Sequence, residues 1–574
     1  MCFTVKNVQF SGTMSVLSFL IVGLLGVQSA SAQVVTVTIA KDTIDVDPWT
    51  ATIDDLPGPD GEVSFSEAMI ATNNTPGHQT VAFNVPQALW PFQWLYPGRL
   101  VLTSTIGYYW RANDSVTIDG TTQTAFTGDS YADGNEVVID TLTFYLNADD
   151  STFIGFDHSA VSATANNALI EGNTGNMRIT VYGGSGSVVR GNEASTIVVD
   201  RSTDNRVVGN TTSRIRVLGY IGGGQPAANN IIGGPNPEDR NYVTGYGSYN
   251  SEGMPNGSAM QLFDTVDCII ENNWIGTTPD GLASGNPACT IGIKFEGENY
   301  GTIVRDNMIS GILGIGTWPH HNGQFFGWAV YFQQIVDNVE FTNNAIGLDA
   351  NGDPTLGSVT GIEIGTFNYY GISDLRLGGS EPGQGNVIAG HMFNGITIGR
   401  DVPNVRIAGN SIYGNGGLGI DLVPTGFGYG VTPNDPLDAD SGANGLQNFP
   451  VLTSAATIGD THIRIAGDLH TSASSRCTVE FFASPECDPS GHGEGQIYLG
   501  MTEVLTDGAG DAAFDVMLAA SVPVGWFVSS TAALEPVGAT SEFSACVDVT
   551  GGGGFGNVVP GTVNGMGGSR RLKK

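Results

Sequence analysis

One short phrase, apolar-x-apolar-x-Asn, returns again and again between residues 169 and 422 and limits what this chain can fold into. It first appears as Leu169-Ile170-Glu171-Gly172-Asn173 and ends again at Asn192, Asn210, Asn273, Asn307, Asn344 and Asn410. An Asn-x-Ile continuation follows at Asn273-Trp274-Ile275-Gly276, Asn344-Ala345-Ile346-Gly347 and Asn410-Ser411-Ile412. A third part reads Gly-Ile-x-apolar at Gly292-Ile293-Lys294-Phe295, Gly361-Ile362-Glu363-Ile364, Gly395-Ile396-Thr397-Ile398 and Gly419-Ile420-Asp421-Leu422. A repeat of roughly 20 residues, or about twice that where loops intervene, marks a solenoid. The β-branched pieces alternate in and out, and the Gly and Asn between them tolerate the left-handed backbone of a sharp corner. No helical period of useful length appears, which argues against an α-solenoid. The pattern predicts an all-β chain, a right-handed parallel β-helix whose Asn residues stack at one corner and bond along the stack. An antiparallel sandwich is the competing architecture, but sandwiches do not repeat a phrase at a fixed place.

Composition narrows the partners. Asp and Glu outnumber Lys and Arg 56 to 22, for a net charge of −34. Such a surface does not release counterions from phosphates, so nucleic acid is excluded as a partner. Anionic membranes are disfavoured on the same ground. Gly reaches 82 residues, yet hydrophobics make up 40%, which is turn-rich globular protein and not disorder.

Residues 1–32 read as a signal peptide: Lys6, an apolar run over 14–27, and Ala30-Ser31-Ala32 before Gln33. No second apolar run of spanning length follows, so the mature chain is expected outside the cell or at its surface with no transmembrane segment. Residues 33–110 form the N-terminal cap region. Within it Ser64 and Glu67 make a capping box, and Phe65, Ala68, Met69 and Thr72 keep helical spacing. A helix there covers the first open rung of the solenoid. The β-helix occupies 111–447. Ordinary alternation takes over in 448–550, as in Thr461-His462-Ile463-Arg464-Ile465 and Cys477-Thr478-Val479-Glu480-Phe481, and predicts an immunoglobulin-like β-sandwich. Residues 551–574 read as a flexible Gly-rich tail.

The segment Val63-Ser64-Phe65-Ser66-Glu67-Ala68, with Asn73-Asn74 after it, resembles the Cys-Ser-Leu-Arg-Glu-Ala phrase of a group of exported bacterial β-helix proteins. Val63 stands in place of the Cys and Ser66 in place of the Arg. The resemblance runs on through Asn273-Trp274-Ile275-Gly276-Thr277-Thr278-Pro279-Asp280-Gly281 and into a junction stretch over 432–450, so it covers nearly all of the mature chain. It implies a surface or secreted β-helix. Most members of the group have no assigned activity, so it says more about fold than about function.

Candidate sites come from four places. Trp318-Pro319-His320-His321 and Trp328 lie in an insertion into the repeat, and Trp318, His320, His321 and Trp328 are the glycan-binding candidates, because aromatic rings on long loops stack on sugars. Adjacent His320 and His321 would point to opposite faces of a strand, which is poor geometry for one metal. A second aromatic run, Trp90, Phe92, Trp94, Tyr96, Tyr108, Tyr109 and Trp110, suits packing of the cap better than sugar stacking. Asp435, Asp438, Asp440 and Asn444 set oxygen ligands at intervals around a tight turn, the pattern of a structural calcium site, though without the distal bidentate Glu. Side-chain turns between two domains use the same residues. With Cys2 removed, five cysteines remain; Cys268 with Cys289 and Cys487 with Cys546 are the candidate disulfides. No catalytic residue stands out: the arginines of the solenoid belong to the repeat phrase, and no nucleophile elbow or zinc spacing occurs. The sequence points to adhesion or binding of polysaccharide or cell-surface glycans. Polysaccharide lyase or glycosidase chemistry in a β-helix groove, and a purely structural envelope role, are the alternatives.

Overall fold

The computed structural model describes residues 33–103, 110–139, 143–157, 160–247, 257–286, 288–314, 327–365, 371–424 and 429–551. The expected signal peptide, residues 552–574 of the tail, and Trp318, His320 and His321 fall outside them. The described chain is all-β apart from a few short helices, and parallel pairing dominates. One sheet stacks thirteen strands from Val34–Val37 to Val405–Ala408, each pairing in parallel with the strand one coil on. A second parallel sheet runs alongside, from Arg111–Ala112 to Ile420–Leu422, and the chain alternates between the two. The result is a parallel β-helix. Its first rung lies earlier than the sequence suggests: Val34–Val37 and Gln79–Phe83, inside the presumed cap region, already belong to the first sheet.

The repeated Asn builds the corner. Asn173, Asn192, Asn210, Asn241, Asn273, Asn307, Asn344, Asn386 and Asn410 are all buried in one column. The Nδ2 of each donates to the Oδ1 of the next at 2.9–3.0 Å, as from Asn273 to Asn307 and from Asn307 to Asn344. The backbone N–H of Asn273 donates to the same Oδ1 of Asn307, and the Asn307 Nδ2 also serves the carbonyls of Ile270 and Arg305. Every amide in the column thus satisfies main-chain groups that a tight corner would otherwise leave buried and unpaired. Where the strand runs straight into its Asn, the residue between them takes a left-handed backbone (Gly209 φ 66°, Asp306 φ 59°), which explains the Gly, Asn or Asp found there. Inward Ile, Val and Phe fill the interior, with Phe295 stacked on Phe332 at 4.7 Å.

At the N-terminal end the helix Phe65–Asn74 has the predicted capping box: Glu67 N–H donates to Ser64 Oγ, and Ser64 N–H to Glu67 Oε2. Residues 65–72 of it are buried, with Phe65 against Phe83 and Trp110. Trp90 and Trp110 are packing residues: their indole N–H groups donate to Val85 O and Ser66 Oγ.

At the other end, eight strands from Val451–Ile458 to Val547–Gly551 form a mainly antiparallel β-domain with its own core. It closes the last coil. Ile412 and Gly495 exchange backbone hydrogen bonds, and Ile407 N–H donates to Thr540 Oγ1. Three carboxylates, Glu480 and Glu542 buried and Glu494 half-buried, take further donors of this coil. Glu480 accepts from Gly409 N–H, Glu494 from Gly414 N–H and Asn415, and Glu542 from Leu422 and Thr432 N–H. Burial pushes Glu480 and Glu494 up to about 7 and Glu542 up to about 8.

The cysteines divide. Cys487 and Cys546 form a disulfide within the C-terminal domain. Cys268 and Cys289 do not pair; both are free and buried. Coils in this region run 32 to 37 residues between stacked Asn, so a 21-residue spacing is not one turn. Cys268 precedes a strand of the first sheet, Ile269–Glu271, and Cys289 a strand of the second, Ile291–Tyr300.

Candidate functional site

Alternation in the second sheet turns one side chain in two toward solvent. In Thr211–Leu218, Ser258–Val266, Ile291–Tyr300, Trp328–Phe332 and Thr360–Ile364, the inward residues include Ile215, Val217, Leu262, Phe295, Phe332 and Ile364, all fully buried. Their neighbours stand in register on the face turned away from that interior. Arg216 pairs with Gln261, Gln261 with Lys294, Lys294 with Tyr331, and Tyr331 with Glu363. A second column sets Tyr182, Asp200, Leu218, Phe263 and Glu296 beside the first.

These columns are bonded to each other. Arg216 Nε donates to Gln261 Oε1 at 3.0 Å, Gln261 Nε2 to Glu296 Oε2 at 2.8 Å, and Lys294 Nζ lies 2.9 Å from the same oxygen. Arg214 reaches Gln261 Oε1 and Ser258 Oγ, both at 3.1 Å, and lies over the Tyr246 ring. A cleft of about 450 Å³ opens here, lined by Asp200, Arg201, Arg216, Leu218, Gly219, Tyr220, Gln261, Phe263 and Glu296. Tyr220 stands exposed at its edge. Burial, then the neighbouring Arg216, holds the Arg214 guanidinium below its ordinary value; for Arg216 the causes are burial and then Arg178. Burial, then Glu363 and Glu296, pushes the Tyr331 hydroxyl up. Further along, Trp328 stacks on Tyr331 with ring centres 4.7 Å apart and planes 23° apart. Gln261, Tyr331 and Glu363 are themselves buried, while Arg216, Lys294, Glu296 and Trp328 are half-buried, so the strip offers a ligand charges of both signs and the accessible part of one ring, held in place by a buried polar layer.

Of the glycan candidates, Trp328 is on this strip. Arg216, Gln261, Lys294, Glu296, Tyr331 and Glu363 were not singled out from sequence.

The acidic turn is only partly as expected. Asp435, Asp438 and Asp440 converge, each offering an oxygen within 4.8 Å of the others. Burial, helped by the neighbouring Asp440 and Asp435, pushes Asp438 up to about 6 against the lowering effect of the hydrogen bonds that its oxygens accept from Asn448 N–H and Thr471 Oγ1. The donor type suits a hard cation, but three carboxylates fall short of six to eight oxygens. Asn444 does not join them. Its Oδ1 accepts from Val405 N–H and its Nδ2 donates to Val405 O and Thr540 O, because it occupies the open edge of the last coil.

No family model matches the chain, and no curated protein matches it. Among solved structures it is similar to the enzymatically active domain of tailspike protein 2 of bacteriophage CBA120, with a TM-score of 0.23 and 10% identity over 84% of this chain and 73% of that one. A likeness this remote carries no argument about what the chain binds.

Proposed function

We propose that this chain is an exported surface β-helix that binds polysaccharide along the outer face of its second sheet, serving attachment to glycan-bearing surfaces. A right-handed coil and an immunoglobulin-like class for the C-terminal domain belong to the same reading. The observation that carries it is the in-register strip from Arg216 to Glu363, with the Trp328–Tyr331 stack and the cleft beside it. Polar groups fixed by a rigid scaffold and flanked by rings are what recognition of a hydroxyl-rich chain requires. The test is binding of the mature protein to a panel of neutral and acidic polysaccharides. Trp328→Ala is expected to weaken the best ligand about fivefold through loss of the stacked face. No retention on any polysaccharide would overturn the proposal.

A second reading, cleavage of the bound chain, is favoured by one observation: Glu296 and Glu363 stand on the same strip, on either side of Tyr331 along the axis. New reducing ends or unsaturated products after incubation would establish it. A structural Ca2+ at Asp435, Asp438 and Asp440 is also part of the proposal, supported by the convergence of the three carboxylates. A melting midpoint unchanged by chelator would remove it.

A further inference from the structure

The strip contains a charge arrangement that folding does not account for. Many arginines of this strongly acidic chain lie against carboxylates, as Arg99 on Asp157, Arg305 on Glu271, Arg376 on Glu340 and Arg406 on Glu535. Arg214 and Arg216 do not. Among the described residues no carboxylate lies within 4.0 Å of either guanidinium. The two are half-buried side by side and share one neutral acceptor, Gln261 Oε1. The Arg214 Nε is buried with no hydrogen-bond partner. Nearby acids are already engaged: Asp200 pairs with Arg201, and Glu296 pairs with Lys294 and Gln261.

Two adjacent, partly desolvated cations sharing one amide oxygen repel each other and keep unused donors. An anion placed across them would relieve both defects at once, since a guanidinium fork matches a carboxylate or sulfate in shape and charge. Arg216 lines the cleft with Arg214 beside it, and exposed Arg178 extends the pair. Arg178 is in register with Thr196 and Thr196 with Arg214, two strands or about 10 Å along the axis. A polymer with acidic groups at intervals can engage both places; a neutral one leaves the arginines as they are.

We infer that the ligand is an anionic polysaccharide whose acidic groups seat on Arg214 and Arg216, with Arg178 as the next contact along the axis. This rests on the polysaccharide-binding reading and narrows it to one substrate class. The overall charge of −34 makes the point sharper, because long-range attraction to a polyanion is absent and any affinity has to come from this local pair.

The experiment measures binding of the full mature chain to polygalacturonate, dextran sulfate and neutral dextran by titration calorimetry at low and moderate salt. The expected result is binding of at least one polyanion about tenfold or more tighter than dextran, weakening as salt rises. The polyanion that wins identifies the group as carboxylate or sulfate. Arg214→Ala and Arg216→Ala are each expected to weaken that binding by about tenfold, and the surface variant Arg178→Ala by a smaller factor. Arg178 is exposed, so it keeps the inference testable if the half-buried variants fail to fold. Equal or tighter binding of dextran, or polyanion binding unchanged in all three variants, overturns this inference and leaves the broader reading standing. Failure to bind any polysaccharide overturns both.

Discussion

The two ends of one structural problem are solved differently in this molecule. Inside the β-helix, the corner N–H groups of each coil meet the neutral amide of the next Asn. At the last coil there is no next Asn, and the backbone N–H groups of Gly409, Gly414 and Leu422 donate to Glu480, Glu494 and Glu542 of the C-terminal domain. Earlier residues preceding the ladder Asn donate to backbone carbonyls of the following coil, as Gly191 does to Val208; Gly409 donates to the Glu480 carboxylate. The difference teaches that backbone satisfaction alone does not dictate the chemistry used. A repeat can be closed with uncharged groups throughout, whereas closing it with carboxylates brings in charges that burial penalises.

The ladder and the seam should therefore respond differently to mutation and to pH. The largest effect is expected from Asn307→Ala in mid-column. It removes the acceptor of the Asn273 N–H, one acceptor of the Asn273 Nδ2, and the side-chain donor to the carbonyls of Ile270 and Arg305. A loss of about 4 kcal/mol in denaturant unfolding follows, and it should hardly vary with pH. A loss under about 1 kcal/mol would mean that the column is not what holds the corner.

The seam comes next. Folded-state values near 7 and 8 lie above the ordinary carboxylate value of 4.5, so the folded chain holds protons that the unfolded chain has released. This contribution is complete below about pH 4.5 and is lost as pH rises through 7 to 8, so stability should fall between pH 5 and pH 8. Each residue accounts for something on the order of 2 kcal/mol. Glu480→Gln removes one of the three titrating groups, so it should make the fall with pH shallower and raise stability at pH 8 while changing little at pH 5. A wild-type melting midpoint that stays level over this range would contradict the comparison.

The smallest effect is expected outside the corner. Arg190 and Glu171 form a ladder pair on the surface of the first sheet. Arg190→Ala should change stability by less than about 0.5 kcal/mol, because exposed ion pairs gain little over solvent. A larger loss would mean that surface pairing, and not the buried column, aligns the coils.

The sequence made the ladder legible wherever an apolar strand runs straight into its Asn. Asn241 and Asn386 escaped notice because loops separate them from the strands Ile231–Gly233 and Leu375–Gly378. The outer strip was illegible for a different reason. Arg216, Gln261, Lys294, Tyr331 and Glu363 are neighbours only through the strand register, and their sequence spacing follows loop lengths and not a period. Seam carboxylates give no signal either, since an acidic residue in an alternating strand normally faces water. Asn444 looked like a ligand because a turn that pairs an open strand edge and a turn that holds an ion draw on the same residues.

Stacked Asn partners lie anywhere from 18 to 42 residues apart while the amide-to-amide distance stays between 2.9 and 3.0 Å. Rung spacing and chain length per rung are thereby uncoupled. Whole segments can be spliced into the periphery of a coil without altering the pitch of the rod, so what the protein displays to its surroundings is open to wholesale rewriting while its axis stays put.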